Sequence, residues 1–517
     1  MSGDRGTYSD TSTQSKNTYA DAIATLNKSF NDWSVNVNLG VSLSDSRYEM
    51  IGYEGGLKLI NFFAVHNIDF NKAWKAKQSG WHDQTRAIFA NAEIGWKSMI
   101  YLTATGRNDW DSRLAFSDYK SFFYPSIGLS AILTSMFNAP DWLTYLKVRG
   151  SYTEVGNSYG RFMTTVTYPY DEQTQSWTST SSYPNTKLKP ERTKSWEVGL
   201  DARILNDISL NLTYYRSNTY NQTFYADLSL SSGYSNIPIQ SGNIMNEGLE
   251  MSLGYNKQWK DFSFNTNYTL TWNKNRVKRL ADGVYNYATG QPIQMPELSP
   301  LTYGHTDARL ILRVGGSMGD VYGQRLLKRD LNGYILNEEG VGLAMENKET
   351  YLGSILPKMN MGWSLGFGYK GVNLGMTFTG RFGGIVISET QSVLDAAGVS
   401  KVSADVRDAG GVQINQSKVS AQTYYQTIQG TAAYYTYSAT NVRLGELSLS
   451  YTLPKKWFDN KVGMTVGLVG KNLWMIYCKA PFDPELTTSA ASNFYQGFDA
   501  YMLPSTRNFG FNVKFQF

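Results

Sequence analysis

Two groups of aromatic side chains are the first candidates for chemistry. Tyr168, Tyr170, Trp177 and Tyr183 crowd one polar stretch, and Tyr424, Tyr425, Tyr434, Tyr435 and Tyr437 crowd another. Rings of this kind can stack on sugars, pack on a partner protein, or stiffen a long loop. The residue types leave all three open. Trp177, Tyr183, Tyr424, Tyr425, Tyr434, Tyr435 and Tyr437 are therefore the candidate substrate- or partner-binding residues. Catalysis has no comparable basis. The three histidines, His66, His82 and His305, lie far apart in the chain. No HExxH, GxSxG, Walker or GxGxxG motif stands in a supporting context. The single Cys478 excludes an intrachain disulfide and any cysteine-based zinc site. No metal or cofactor is expected, and the chain reads as a protein that is not an enzyme. Its net charge of +5, from 48 basic and 43 acidic residues, is too balanced to imply a nucleic-acid partner.

The elements that must carry these rings are strands. Phe509, Phe511, Val513, Phe515 and Phe517 fall on one face of the C-terminal segment, and Asn508, Gly510, Asn512, Lys514 and Gln516 on the other. Trp33, Val35, Val37, Leu39, Val41 and Leu43 alternate in the same way with Ser34, Asn36, Asn38, Gly40, Ser42 and Ser44. Period-two segments recur at 87–97, 99–106, 145–153, 194–205, 208–215, 248–257, 262–272, 361–370, 372–380, 441–453 and 462–474. Their polar faces are mostly Asn, Ser, Thr and Gly, which suit a wet lumen. Aromatics make up 14% of a chain whose mean hydropathy is only −0.37. No run reaches the ~18 apolar residues of a membrane helix. Such a chain can still cross a membrane when alternate side chains alone meet lipid. Trp33, Trp96, Tyr124, Tyr145, Trp259, Trp272, Tyr451 and Trp457 stand near strand ends, where interfacial girdles form.

Short turns at Asn31-Asp32, Lys97-Ser98, Asn138 to Thr144, Asn206-Asp207, Lys260-Asp261, Lys370-Gly371 and Lys455 to Lys461 alternate with long polar stretches. The long ones lie near 48–83, 107–123, 155–193, 217–241, 281–357, 382–440 and 478–505, of which 281–357 is either one loop or holds two more strands. This is the plan of an antiparallel transmembrane β-barrel, all-β, with short periplasmic turns and long extracellular loops. First and last strands both run towards the periplasm, so the total, roughly fifteen to seventeen, is odd, whereas single-chain bacterial barrels use even numbers. The expectation is an incomplete set from a larger barrel, with no signal peptide in Met1 to Asp10.

Longer motifs then give a family resemblance. GRNDWDSRL (106–114) leads into YPSIGLSAILT (124–134), and LKVRGSYTEVGN (146–157), LKPERTKSWEVGLD (188–201) and LTYYRSNTYN (212–221) follow in order. GNIMNEGLEMSL (242–253), LGSILPKMNMGW (352–363), NVRLGELSLSYTLP (441–454), GKNLWMIY (470–477) and DPE (483–485) complete the set. The whole of 1–517 resembles the C-terminal barrel portion of a SusC/RagA-type TonB-dependent transporter, without its plug domain. Within these motifs Pro190, which has no amide hydrogen, fits the mouth of a strand. Glu197, Asp201, Arg203, Lys147 and Arg149 fall on the polar, lumen face.

The resemblance implies a place in the cell outer membrane and TonB-dependent uptake of oligosaccharides or peptides. It also implies partners: a SusD-like surface lipoprotein acting as a lid, the TonB complex through an N-terminal part, outer-membrane lipid, and a glycan or peptide substrate. The second aromatic group would touch that lid. Two other classes remain on the residues alone. A passive porin or surface-binding adhesin could use the same barrel, and an outer-membrane enzyme would need a clustered nucleophile and base that the scattered histidines do not supply.

Overall fold

The computed structural model describes residues 5–72, 74–171, 176–285, 290–295, 297–338, 342–486, 488 and 493–517. Among them, fifteen strands form one antiparallel sheet in sequence order. They are β1 (Thr7–Phe30), β2 (Trp33–Gly56), β3 (Trp74–Trp96), β4 (Ile100–Asp111), β5 (Phe122–Ile132), β6 (Leu143–Asn157), β7 (Glu191–Ile204) and β8 (Ile208–Asp227). The series continues with β9 (Asn236–Trp259), β10 (Phe262–Arg279), β11 (Met359–Tyr369), β12 (Val372–Phe382), β13 (Asn441–Leu453), β14 (Gly463–Cys478) and β15 (Asn508–Gln516). β1 and β15 are each paired on one side only, so the sheet is open along both edges in the described residues.

Alternation fixes the two faces. Exposed Leu39, Val41, Ile94, Leu102, Leu129, Val198, Leu253, Leu449, Leu468 and Phe511 form an apolar band on one face. In a lipid bilayer that band is the favourable contact surface. At the short-turn end, Phe30 pairs across to Trp33 and Trp33 to Trp96. Trp259 stacks on Phe262 there, with ring centroids 5.7 Å apart. Tyr124 departs from the expected girdle: its hydroxyl donates to Asp109 at 2.8 Å on the opposite, polar face. That face also carries Arg149, which bonds Asp201 at 2.6 Å and Thr213 at 2.7 Å. On that polar face Arg149 and Asp201 neutralise one another as an ion pair.

All short connections lie at one end and all long ones at the other. Lys370 (φ 46°) and Gly371 (φ 91°) both take left-handed backbone, the geometry that lets a two-residue hairpin follow sheet twist. Lys there carries a modest strain that Gly does not.

The long-loop boundaries differ from the sequence expectation. The stretch 48–83 is largely sheet, because β2 continues to Gly56 and β3 begins at Trp74 with no break in register. β8 and β9 likewise extend to Asp227 and from Asn236, inside the stretch expected as a loop at 217–241. β1 and β2 each have 24 residues, where a bilayer crossing needs about 9–11. Beyond the membrane both faces meet water, so the hydrophobic alternation disappears although the backbone ladder persists. Segment 281–357 adds no strand to the main sheet. It holds a separate four-stranded sheet.

Candidate functional site

The long-loop end is capped by three connections, residues 280–358, 383–440 and 479–507. The first supplies a sheet of Glu297–Thr302, Arg309–Arg313, Asp320–Leu327 and Met345–Ser354. The second supplies strand Ile385–Ser388 and helices α1 (Glu389–Ala396), α2 (Lys401–Asp408) and α3 (Ala421–Ile428). Ser388, Ser400 and Ser420 cap these helices by accepting from the amides of Gln391, Ser403 and Thr423. Each such cap is worth about 1 kcal/mol. Strand Ile385–Ser388 then pairs with Thr436–Ser438 on one side and with Phe498–Asp499, from the third connection, on the other.

One core joins the three connections. Tyr303, Leu310, Val321 and Ile355 from the first, Ile387 and Ala432 from the second, and Phe498 from the third are all buried together. Polar pins cross between them. The Asp307 carboxylate accepts from the amides of Ala432 (2.6 Å) and Gln324 (3.1 Å). Ser388 donates to Asp499 at 2.6 Å. Buried Glu389 accepts from the His305 amide at 3.2 Å and from the Tyr501 hydroxyl at 3.1 Å. Gly304, at φ +51°, passes so close to Glu389 that a Cβ would sit 2.0 Å from its carboxylate. These contacts make the cap a rigid body rather than a set of free loops.

The expected binding residues divide by burial. Tyr425 and Tyr435 are 7% and 2% exposed and belong to a core with Leu327, Leu343, Ile414 and Ile428. Their rings hold the helices of 383–440 against the sheet of 280–358. Tyr424 and Tyr434 pack on the rim of that core, and the Tyr434 hydroxyl accepts from the Leu327 amide at 3.1 Å. Tyr437 meets Phe482 edge-on at 5.7 Å. Burial first, and then the charge of Asp395, pushes the Tyr437 phenol up to about 12 and Tyr435 higher still. In the other group, Tyr183 is half-buried beside Ile237 and Ile239 and meets Tyr234 at 5.1 Å. Tyr168 and Trp177 are exposed, and Trp177 meets exposed Tyr170 edge-on at 5.1 Å. No ring contact links the two groups among the described residues.

Two features went unread in the sequence. Arg443, near the start of β13, makes a two-pronged bond to Asp483 at 2.8 and 2.9 Å and lies 3.3 Å from Glu485. The motifs NVRLGEL and DPE held these residues, but nothing local showed that they meet. Burial alone would raise the Asp483 carboxyl, yet the hydrogen bonds of Arg443 hold it below its ordinary value. The second feature is the β2–β3 tip. There buried Asn67 donates to the carbonyls of Leu59 (2.8 Å) and Phe62 (2.7 Å), presenting Leu59, Ile60, Phe62 and Phe63 to solvent. The run LKLINFF was the legible signal.

Comparison with known proteins agrees with this architecture. Residues 2–473 match the family model described as TonB dependent receptor-like, beta-barrel. TonB-dependent receptor P3 of Formosa agariphila is 24% identical over 544 aligned residues, covering 96% of this chain and 52% of the relative. TonB-dependent receptor SusC of Bacteroides thetaiotaomicron is 25% identical over 243 residues, covering 46% of this chain and 22% of that protein. Among solved structures, the RagAB peptide importer in its open-open state superposes with a TM-score of 0.76 at 18% identity, over 99% of this chain and 55% of that one. Its closed-closed state gives 0.75. The chain spans about half the length of the long relatives it matches end to end.

Proposed function

The chain belongs to the TonB dependent receptor-like β-barrel family, and from that premise we propose that it forms the C-terminal wall and outer cap of an energised importer. Its place is the cell outer membrane, with the short turns in the periplasm and the cap outside. The cargo is an oligosaccharide or a peptide. The remaining strands and a plug domain come from an N-terminal part, which also receives the pull of the TonB complex. Closing the barrel there pairs the free edges of β1 and β15, whose unpaired groups in lipid would cost several kcal/mol each.

The observation that carries this reading is the joint one of family match and cap. A passive pore needs no interlocked structure over its mouth, whereas a gated importer needs a rigid platform on which a lid and a cargo can dock. A SusD-like surface lipoprotein is the proposed lid, meeting the cap at the half-buried rings of Tyr424 and Tyr434 and at Tyr437 beside Phe482. Trp177, with Tyr170 beside it, is the proposed cargo contact, since both rings are exposed and edge-paired. Tyr183, also a proposed contact, packs with Tyr234 beside Ile237 and Ile239.

The test is uptake by cells producing the whole protein, with and without a working TonB complex. Labelled oligosaccharide or peptide should enter only in the energised strain. Equal entry in both would refute the importer reading and favour a porin. Replacing Tyr424, Tyr434 and Tyr437 by alanine should reduce lipoprotein co-purification. Unchanged recovery would remove the proposed lid contact.

A further inference from the structure

β4 leaves β3 early. Their pairing ends at Thr85 and Asp111, where the chain of β4 turns away into Ser112–Leu114. β3 runs on from Gln84 to Trp74, still in continuous register with β2 on its other side. Thr85 comes about eleven residues along β3 from Trp96, at the short-turn end, so this overhang begins where a bilayer crossing of about 9–11 residues is complete.

Alternation settles which backbone groups the overhang frees. The Gln84 amide points to the β4 side, where it donates to the Ser112 hydroxyl at 3.0 Å. Successive strand residues turn their N–H and C=O groups to opposite sides, so Gln78, Gly80 and His82 present theirs on the same side as Gln84. Among the described residues no backbone group pairs with them there. Gln78, Ser79, Gly80 and His82 are all exposed. Two other overhangs of the sheet are covered. Gly315 and Gly316 exchange backbone hydrogen bonds with Val277 of β10, and Ser181 and Tyr183 do so with Asn236 of β9. Strands added beside β1 would close its edge but not this one, since the neighbour of β3 on that side is β4 itself.

Both faces beside the edge carry side chains that could select a ligand. On one, Tyr48 and Trp81 stack with ring centroids 5.7 Å apart, and Arg161 lies 3.6 Å over Trp81 while its Nε donates to Asp83 at 2.7 and 2.8 Å. On the other is a cavity of about 770 Å³. Gln14, Glu49 and Gly80 share that face in register, as do Ser12, Ile51 and Gln78, and Tyr170 also lines the cavity. Glu49 is exposed and forms no ion pair or hydrogen bond among the described residues.

We propose that the β3 edge from Gln78 to His82 binds peptide cargo as an added strand, with a basic residue of the peptide set against Glu49 and Tyr170. This rests on the importer reading above and selects peptide over oligosaccharide at this site. A polypeptide backbone repeats donors and acceptors at the spacing of a strand edge, and sugar hydroxyls do not. Main-chain bonds supply the affinity, and alternate side chains supply the selection. A cation beside Glu49 gains a carboxylate partner and the face of the Tyr170 ring. Exposed edges are ordinarily blunted by lysine, proline or a covering loop. Here Lys75 and Lys77 stand only towards the far end, and Gln78 to His82 contains neither lysine nor proline.

Fluorescence anisotropy with the whole protein in mild detergent tests this. The probe is a labelled heptapeptide of alternating threonine and valine with a central lysine, which fixes the register against Glu49. It should bind with a Kd below about 1 mM. Two N-methylated forms carry methyl groups on alternate amides, one on each set. One form should bind about tenfold or more weaker and the other within about twofold of the parent, because only one set of amides faces β3. Gln78→Pro removes an edge amide while the Lys77 and Ser79 bonds to β2 remain, and should weaken the parent peptide about tenfold. Glu49→Gln should weaken it about fivefold, yet change a peptide with threonine in place of lysine by less than about twofold. Absence of saturable binding, equal binding of the two methylated forms, or unaltered binding by Gln78→Pro overturns the proposal. The methylated pair uses the unaltered protein, so it decides the matter even if Gln78→Pro fails to fold. Binding is read without energised uptake, so a failure here is distinct from a failure of the importer reading, which the TonB comparison decides.

Discussion

Arg443 and Asp483 give the sharpest test of how the cap is held. Their side chains are 11% and 8% exposed, and two hydrogen bonds join them. Arg443→Met removes the cation but leaves Asp483 in a site built for a paired charge. Breaking a buried pair from one side costs about 3–5 kcal/mol. The loss falls on the 479–507 connection, because β13 keeps its backbone ladder to β12 and β14. Amide hydrogen exchange should therefore rise by two to three orders of magnitude in Phe498–Asp499 and its neighbours, while β13 and β14 exchange as before. The double variant Arg443→Met/Asp483→Leu removes both charges and should recover most of the protection, leaving the pair's apolar replacement near neutral. The pH dependence has a defined sign. Asp483 is held below its ordinary value in the folded state, so its contribution is fully present above the unfolded carboxylate value of about 3.9 and fades as pH falls through the lower folded value. In Arg443→Met burial acts on Asp483 without the opposing cation and raises its carboxyl, so the gap from wild type should be constant at pH above that raised value and shrink as pH falls through it towards the lower wild-type value. Equal exchange in the single and double variants would refute the reasoning, since it would mean that the stranded charge costs nothing.

Other expectations follow from the same geometry. Tyr435→Ala, at a 2% exposed position, should destabilise the cap by about 3–5 kcal/mol, seen as faster exchange in Asp320–Leu327; no change would remove Tyr435 from the core. Spectrophotometric titration should show Tyr437 ionising only near pH 12, so a tyrosinate signal assigned to it below about pH 10 would contradict its burial. Gly304→Ala combines left-handed backbone with a clash on buried Glu389 and should cost about 1–3 kcal/mol, read as loss of protease resistance in 383–440. Trp177→Ala should leave folding within about 0.5 kcal/mol yet raise the half-saturation concentration for uptake about three- to tenfold, the worth of one aromatic contact. Uptake that is unaltered would remove Trp177 from the cargo path.

What the sequence determined by itself is the membrane-crossing part. Between Trp33 and Leu43, or Phe509 and Phe517, each strand turns apolar side chains to one face of the sheet and polar ones to the other, and that gradient is written residue by residue as period two. The short turns were legible for the same local reason, since two or three residues such as Lys370-Gly371 must reverse the chain unaided. Where the gradient ends, so does the message: β2 runs on through Tyr48 to Gly56 with both faces wet, and the stretch resembles a loop although its ladder is unbroken. The cap was decided by tertiary structure alone. Tyr425 and Tyr435 resemble exposed binding residues until Leu327 and Leu343, from another connection, cover them. Asp307 finds the Ala432 amide 125 positions away, and Arg443 finds Asp483 40 positions away. No periodicity encodes such meetings, because they depend on which loops the strand order brings side by side, and the burial that fixes a side chain's role exists only after they have met.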